Sequence, residues 1–375
     1  MYIIFTAVIL RIIFAFVNSF YGPLIGADAD ALKFHETAIL ISRGEAPFDY
    51  RTGWIYVSIL GKIYQYSFES IFFGSLISIS AWLISAILLL KMLTIIKIEK
   101  SYQNILLSLY SFWPSVIIFT SITLREPFQL LFFNLIIFFF LKVFIEKKIN
   151  FTYLFFLSLI PLSLLHKVFV INCVIFSFIF ILFFFEFLRK KIIQIIFITI
   201  LPIILIIYLQ IDPIIDYFYS RVPLHEKNFF EIIESHINLM TVSRASYQVE
   251  KIFIFNFQDF LNYLFISTKN YFVQPTPMNQ ELFIDLMLYI ENLIRIAIIL
   301  VTIFKILNIT IAHYKIYLAL LFIYFSTEIG WALGTNNWGT AVRHHIPTFG
   351  LLIILASFNP KKYEKYYEKK NFICC

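Results

Sequence analysis

Charge is what this chain of 375 residues has least of. Only 14% of its residues are charged, against 60% hydrophobic, with a mean hydropathy of +0.84. Soluble domains carry about 25% charged residues and about 45–50% apolar ones. The shortage excludes an ordinary soluble domain and predicts an integral membrane protein, with the apolar load spread along the chain. Cysteine is equally sparse, at three residues. Cys173 falls inside an apolar run and Cys374 and Cys375 stand together at the end. That pattern excludes a disulfide framework, and the terminal pair does not match the prenylation signature. No phosphate-binding Gly-rich loop is present, which argues against an ATP-driven machine. Convincing internal repeats, common in transporters, are also lacking. The first apolar segment has no small-residue cleavage site and reads as a retained span.

Apolar runs are what the chain has in plenty. A span needs about 20 mainly apolar residues. Runs near 2–20, 70–93, 103–121, 127–145, 152–166, 168–188, 192–209, 286–307, 315–331 and 346–358 predict an all-α transmembrane bundle of about ten spans. The whole of 1–375 then reads as one membrane domain. The abundant phenylalanines, 46 in all, read as lipid-facing filler favoured by AT-rich codons. Lysines and arginines gather in alternate connections, at 91–100, 142–148, 189–191, 305–315 and 361–370. By the positive-inside rule these face the cytoplasm, so both termini are cytoplasmic. The net charge of +7 is then mostly an inner rim facing anionic lipid, and no nucleic-acid partner is implied. The cytoplasmic connections leave no room for a catalytic domain, so chemistry belongs at the outer face. Two long outer loops remain, 21–69 and 210–285.

Three outer segments concentrate the polar residues. In the first loop Asp28 and Asp30 precede a run, Ala31–Arg43, with Phe34, Ala38 and Ile41 at helical spacing. The short, interrupted apolar stretch 54–68, with Trp54 and Tyr56 suited to the headgroup level, predicts an interfacial or re-entrant helix. Asp30 reads equally as a helix N-cap and as a general base whose pKa the membrane edge raises. Asp28 reads equally as a solvated carboxylate and as that base. His35 and Glu36 follow one turn on, where they fit a polar helix face. The second segment is the turn Ser121–Pro127, where Arg125 and Glu126 either pair with each other or hold a phosphate and its acceptor. The third runs from Gly334 to Pro347 and carries Arg343, His344 and His345. It suits anion binding, or anchoring at the interface, better than a metal, since two adjacent histidines do not readily share one ion. Glu291 and Arg295, at i and i+4, predict an ion pair inside a span.

The order of these features resembles the GT-C superfamily of polytopic glycosyltransferases. The nearest likeness is to bacterial relatives of the dolichyl-phosphate-mannose protein mannosyltransferases and to the aminoarabinose transferases. Asp30–Ala38 with Gly44 and Pro47-Phe48 is similar to the start of their first outer loop. Trp113-Pro114-Ser115 with Ser121–Pro127 is similar to their third-to-fourth-span segment, and Gly339–His344 to a late turn of polysaccharide members. The protein mannosyltransferases carry adjacent acidic residues, whereas Ala29 separates the two here. The resemblance implies a multi-pass enzyme of the bacterial inner membrane that uses a polyprenyl-phosphate-linked sugar donor. The acceptor would be a polysaccharide, lipid or protein hydroxyl, and no cofactor is implied. It implies Asp30 or Asp28 as catalytic base, with Arg125, Glu126, Arg343, His344 and His35 around substrate and phosphate. Rival readings are an O-antigen-type polymerase, working through outer arginines, and a lipid-linked-sugar flippase.

Overall fold

A computed structural model describes residues 2–22, 28–45, 53–185, 234, 245–247, 253–276, 283–308 and 311–358. Among these residues the secondary structure is helical apart from one isolated bridge, Ser246 to Asn337. Among the described residues five helices are long and apolar enough to cross a membrane: α1 (Tyr2–Phe20), α4 (Ile71–Ile95), α7 (Glu126–Phe144), α11 (Phe283–Lys305) and the Tyr314–Leu333 part of α12 (Ile311–Leu333). Two shorter apolar helices are α8 (Phe151–Leu165) and the Lys167–Leu182 part of α9 (Lys167–Phe185), and α10 (Phe257–Val273) precedes α11. The expected span at 192–209, most of the loop 210–285, and Cys374 and Cys375 lie outside the described residues.

Both helices expected in the first long loop are present, as α2 (Asp28–Ser42) and α3 (Trp54–Gln65). They pack against each other through the face carrying Phe34, Ala38 and Ile41. Phe34 meets Tyr56 edge-on, with ring centroids 5.4 Å apart. α2 starts at Asp28, so Asp30 sits in its first turn and is not the N-cap.

The expected spans at 103–121 and 346–358 need correction. The first is broken. α5 (Lys100–Phe112) stops at Trp113, which is extended (φ −64°, ψ 120°), and α6 (Pro114–Thr120) starts anew. Pro114 is the cause, because its ring pushes the preceding residue out of the helical region and it has no N–H to donate. The second is α14 (Phe349–Ser357), only 9 residues long. At 1.5 Å per residue it covers roughly 14 Å, about half the hydrocarbon thickness. α14 is nonetheless deep in the core. Tyr110 of α5 lies between Trp82 of α4 and Phe349, with centroids 6.5 Å and 5.9 Å away. Gly350 brings α14 so close to α7 that a Cβ there would collide with the side-chain amide of Asn134.

Backbone groups freed by the break would each cost several kcal/mol if left unpaired in hydrocarbon. A continuous helix would pair the Ser115 N–H with the Ser111 carbonyl. Here the Ser115 N–H donates to Glu291 Oε1 of α11 at 2.7 Å. The Ser111 carbonyl accepts from Arg11 Nη1 of α1 at 3.0 Å. The expected Glu291–Arg295 pair is therefore replaced, with Arg295 donating to Asn292 Oδ1 at 2.6 Å. Pairing at i, i+4 loses because the opened backbone offers the carboxylate a directed donor.

Candidate functional site

The polar turns meet at one end of the bundle. Arg343 is carried by α13 (Trp338–His344), whose start is fixed by Asn337, a side-chain cap accepting from the Thr340 N–H at 2.7 Å. Residues 245–247 strap this turn: the Tyr247 N–H donates to the Asn336 carbonyl, and the Trp338 N–H to that of Ala245. Trp338 Nε1 donates to Asp285 Oδ1 at 3.1 Å, tying in the start of α11.

Arg343 is the centre of the cluster. Its Nη1 donates to Asp30 Oδ2 at 2.5 Å, and its Nη2 to Glu126 Oε1 at 2.6 Å, with Nε adding a second bond to that oxygen. Glu126 is buried, at 2% side-chain exposure, while Asp30 is half exposed. One carboxylate thus holds the guanidinium from the buried side and the other from the exposed side. Burial opposes the charge on Arg343, but Glu126 and Asp30 outweigh it and hold its pKa above the usual arginine value. For Asp30 burial pushes the pKa up, yet Arg343 and, to a lesser degree, Arg125 bring it below the ordinary carboxylate value. The sequence predicted a raised value at the membrane edge. The opposite results because a charged partner at hydrogen-bond distance outweighs partial desolvation.

Arg125 caps α7, its carbonyl accepting from the Gln129 N–H. The turn before it is pinned by Thr123, whose hydroxyl donates to the Ile71 carbonyl at 2.9 Å. The guanidinium lies 5.8 Å from the Phe34 ring centroid, within cation–π range. Gly53, at φ 98°, lies against both groups: a Cβ there would come 3.2 Å from Arg125 Nη1 and 3.3 Å from Phe34 Cε1. Among the described residues, Arg125 Nε and Nη1 are buried and have no hydrogen-bond partner, and neither has Glu126 Oε2. An unsatisfied buried guanidinium is unusual, since buried polar atoms are nearly always paired. It is a standing capacity for an anion with oxygens to share.

His344 stacks on Trp331, with centroids 3.8 Å apart, and its Nδ1 lies 2.8 Å from Thr335 Oγ1. That hydroxyl already donates to the Trp331 carbonyl, so His344 donates from Nδ1 and keeps Nε2 as acceptor. His166, between α8 and α9, is 6.1 Å from His344 between centroids. Burial, then the positive charge of Arg343 for His344 and of Arg125 for His166, holds both well below the usual histidine pKa. Nothing in the sequence pointed to His166, which follows the Arg125 turn only after the two apolar helices α7 and α8. His345 turns away, with Nδ1 2.5 Å from Glu328 Oε2. His35 belongs to the α2–α3 contact, its Nδ1 lying 3.0 Å from Tyr64 OH. Asp28 opens α2, but its side chain is outside the described residues. Among the described residues no group of three or more His, Cys, Asp or Glu is placed to hold a metal.

No protein-family model, curated protein or solved structure matches the chain.

Proposed function

We propose that this is a multi-pass glycosyltransferase of GT-C type, with about ten membrane crossings, in the inner membrane of a bacterium. It moves a sugar from a polyprenyl-phosphate carrier to an acceptor hydroxyl at the outer face, in cell-envelope glycoconjugate synthesis. The observation that carries the reading is Arg125. Its unsatisfied guanidinium stands beside an Arg343 already oriented by two carboxylates. Such a pair suits a phosphate attached to a lipid, because guanidinium forks match phosphate oxygens.

The reaction then needs three things from this chain. Arg125 and Arg343 take up the negative charge that grows on the leaving phosphate as the bond from the anomeric carbon breaks. The acceptor oxygen forms the new bond at that carbon from the opposite face, which inverts it. Its proton passes to a carboxylate. Asp30 fills this role once the donor phosphate competes for Arg343, because loss of that partner lets burial raise its proton affinity. Asp28 is the alternative base. Glu126 keeps Arg343 in place throughout, and His344 Nε2 offers a neutral acceptor for a sugar or acceptor hydroxyl. A second reading, an O-antigen-type polymerase, is favoured by the tie between Asp30 and Arg343, which suppresses a carboxylate base and leaves the arginines as the working groups.

The test uses purified full-length protein in lipid nanodiscs with polyprenyl-phosphate sugars. Arg125→Ala and Asp30→Asn are each expected to cut transfer by roughly 10²-fold, the usual worth of one base or one charge stabiliser. Wild-type turnover in both removes the site. Loss in Arg125→Ala alone selects the polymerase reading.

A further inference from the structure

The break between α5 and α6 is served by two intramembrane charges that touch neither each other nor the arginine cluster. Arg11 is fully buried, its guanidinium stacked 3.5 Å from the Trp82 ring centroid. It donates to Thr120 Oγ1 from Nε at 2.8 Å and to the Ser111 and Ala7 carbonyls from Nη1. It therefore grips both sides of the break, Ser111 at the end of α5 and Thr120 at the end of α6. Glu291 takes the Ser115 N–H at the start of α6. A cation on the freed Ser111 carbonyl and an anion on the freed Ser115 N–H stand in for the backbone bond that would join those two groups in a continuous helix.

α6 carries the site on its far end. Thr120 leads directly into the turn that presents Arg125, and the ring of Phe119 lies 6.0 Å from the Arg343 guanidinium. We infer that Arg11 and Glu291 are positioning residues, which hold the offset segment α6 at the angle that sets Arg125 against Arg343. Charges within a bilayer are costly and are kept where something depends on them. Here the dependent element is a seven-residue helix too short to hold its own direction. That this angle matters to an anion rests on the glycosyltransferase reading. That the two side chains hold the break does not.

The experiment follows amide hydrogen exchange by mass spectrometry in nanodiscs. Arg11→Met and Glu291→Leu remove the backbone partners, whereas Arg11→Gln and Glu291→Gln keep a donor and an acceptor. Faster exchange confined to 113–125 is expected in the apolar variants and not in the amide ones. Pro114→Ala restores the route from the Ser115 N–H to the Ser111 carbonyl, so adding it is expected to return 113–125 to slow exchange. An apolar variant that folds only when Pro114→Ala is added supports the inference as well. Exchange that rises equally across α4 and α7, or apolar variants that stay unfolded even with Pro114→Ala, would overturn it. Binding of polyprenyl monophosphate supplies the second arm: Pro114→Ala alone is expected to fold yet lose binding, because straightening moves the Arg125 turn. Intact binding in that variant, with 113–125 protected, refutes the positioning role. If the wild-type protein itself binds no polyprenyl phosphate while the exchange pattern holds, the glycosyltransferase reading fails and the positioning stands.

Discussion

His344 presents a titration problem confined to one side chain. The ring is stacked on Trp331, bonded to Thr335, and faces Arg343, Arg125 and His345, which all disfavour its protonation. Its folded pKa is depressed, so the folded protein holds it neutral. Unfolding releases it to about 6.5, the value of a solvated imidazole. Below that pH the unfolded chain binds a proton that the folded chain refuses. The stability His344 contributes is therefore complete above about pH 6.5 and falls as pH drops, by at most about 1.4 kcal/mol per pH unit. His166 adds to the same slope. Thermal unfolding in detergent between about pH 7.5 and 5.5, spanning the solvated imidazole value, measures it. His344→Asn is expected to flatten the acid side of the curve, with His166→Asn flattening it further. A slope identical to wild type in the double variant would mean that both rings titrate normally.

Among elements, α14 shows how a helix can be legible as apolar and still be misjudged. Its composition predicts a span, yet its length does not reach across, and its place is set by packing. Asn134 Nδ2 of α7 donates to Ser85 Oγ at 2.7 Å and to Tyr110 OH at 3.1 Å, joining α4, α5 and α7 in one polar knot. Gly350 lies directly on that knot. Gly350→Ala is expected to push Asn134 away and destabilise the fold by about 1–3 kcal/mol, the usual cost of overpacking. Adding Asn134→Ala should recover part of that loss, and two separate melting shifts that simply add would argue against the contact. The same contrast runs through the other elements. α2 and α3 were readable because their apolar spacing is local. The break at Pro114 was marked by its proline, but its effect on a run of apolar residues was outweighed by hydropathy. The partners of Glu291 and Asp30 could not be read from spacing. Each found a donor from a distant element, Ser115 and Arg343, that beat the local choice of an i, i+4 pair or a cap. Arg125, Glu126 and Arg343 were recognisable as scarce charges in an apolar chain, and their pairing was not.

Across the whole molecule, Arg343 joins parts of the chain that are 313 and 217 residues apart, at Asp30 and Glu126. It is the fastening between the first loop, the start of α7 and the late turn, at the end of the bundle where the apolar contacts between helices give way to polar turns. The two bonds are unequal. Asp30 is half exposed, so water screens its pair and replaces the lost partner if Arg343 is removed. Glu126 is buried, and without Arg343 its charge would be stranded. Removing one partner of a buried ion pair typically costs about 3–5 kcal/mol, mostly as the penalty for the abandoned charge. Arg343→Met is therefore expected to lower stability by that order, whereas Asp30→Asn lowers it by no more than about 1 kcal/mol. Glu126→Gln added to Arg343→Met removes the stranded charge and should recover stability, even though it deletes a second polar partner. The measurement is a double-mutant cycle of unfolding in mild detergent. An Arg343→Met loss that Glu126→Gln deepens would show that the buried carboxylate is not what Arg343 neutralises. Recovery would show that the cluster fixes the late turn to the start of α7 through Glu126, leaving the Asp30 bond to the first loop free to open at little cost in fold.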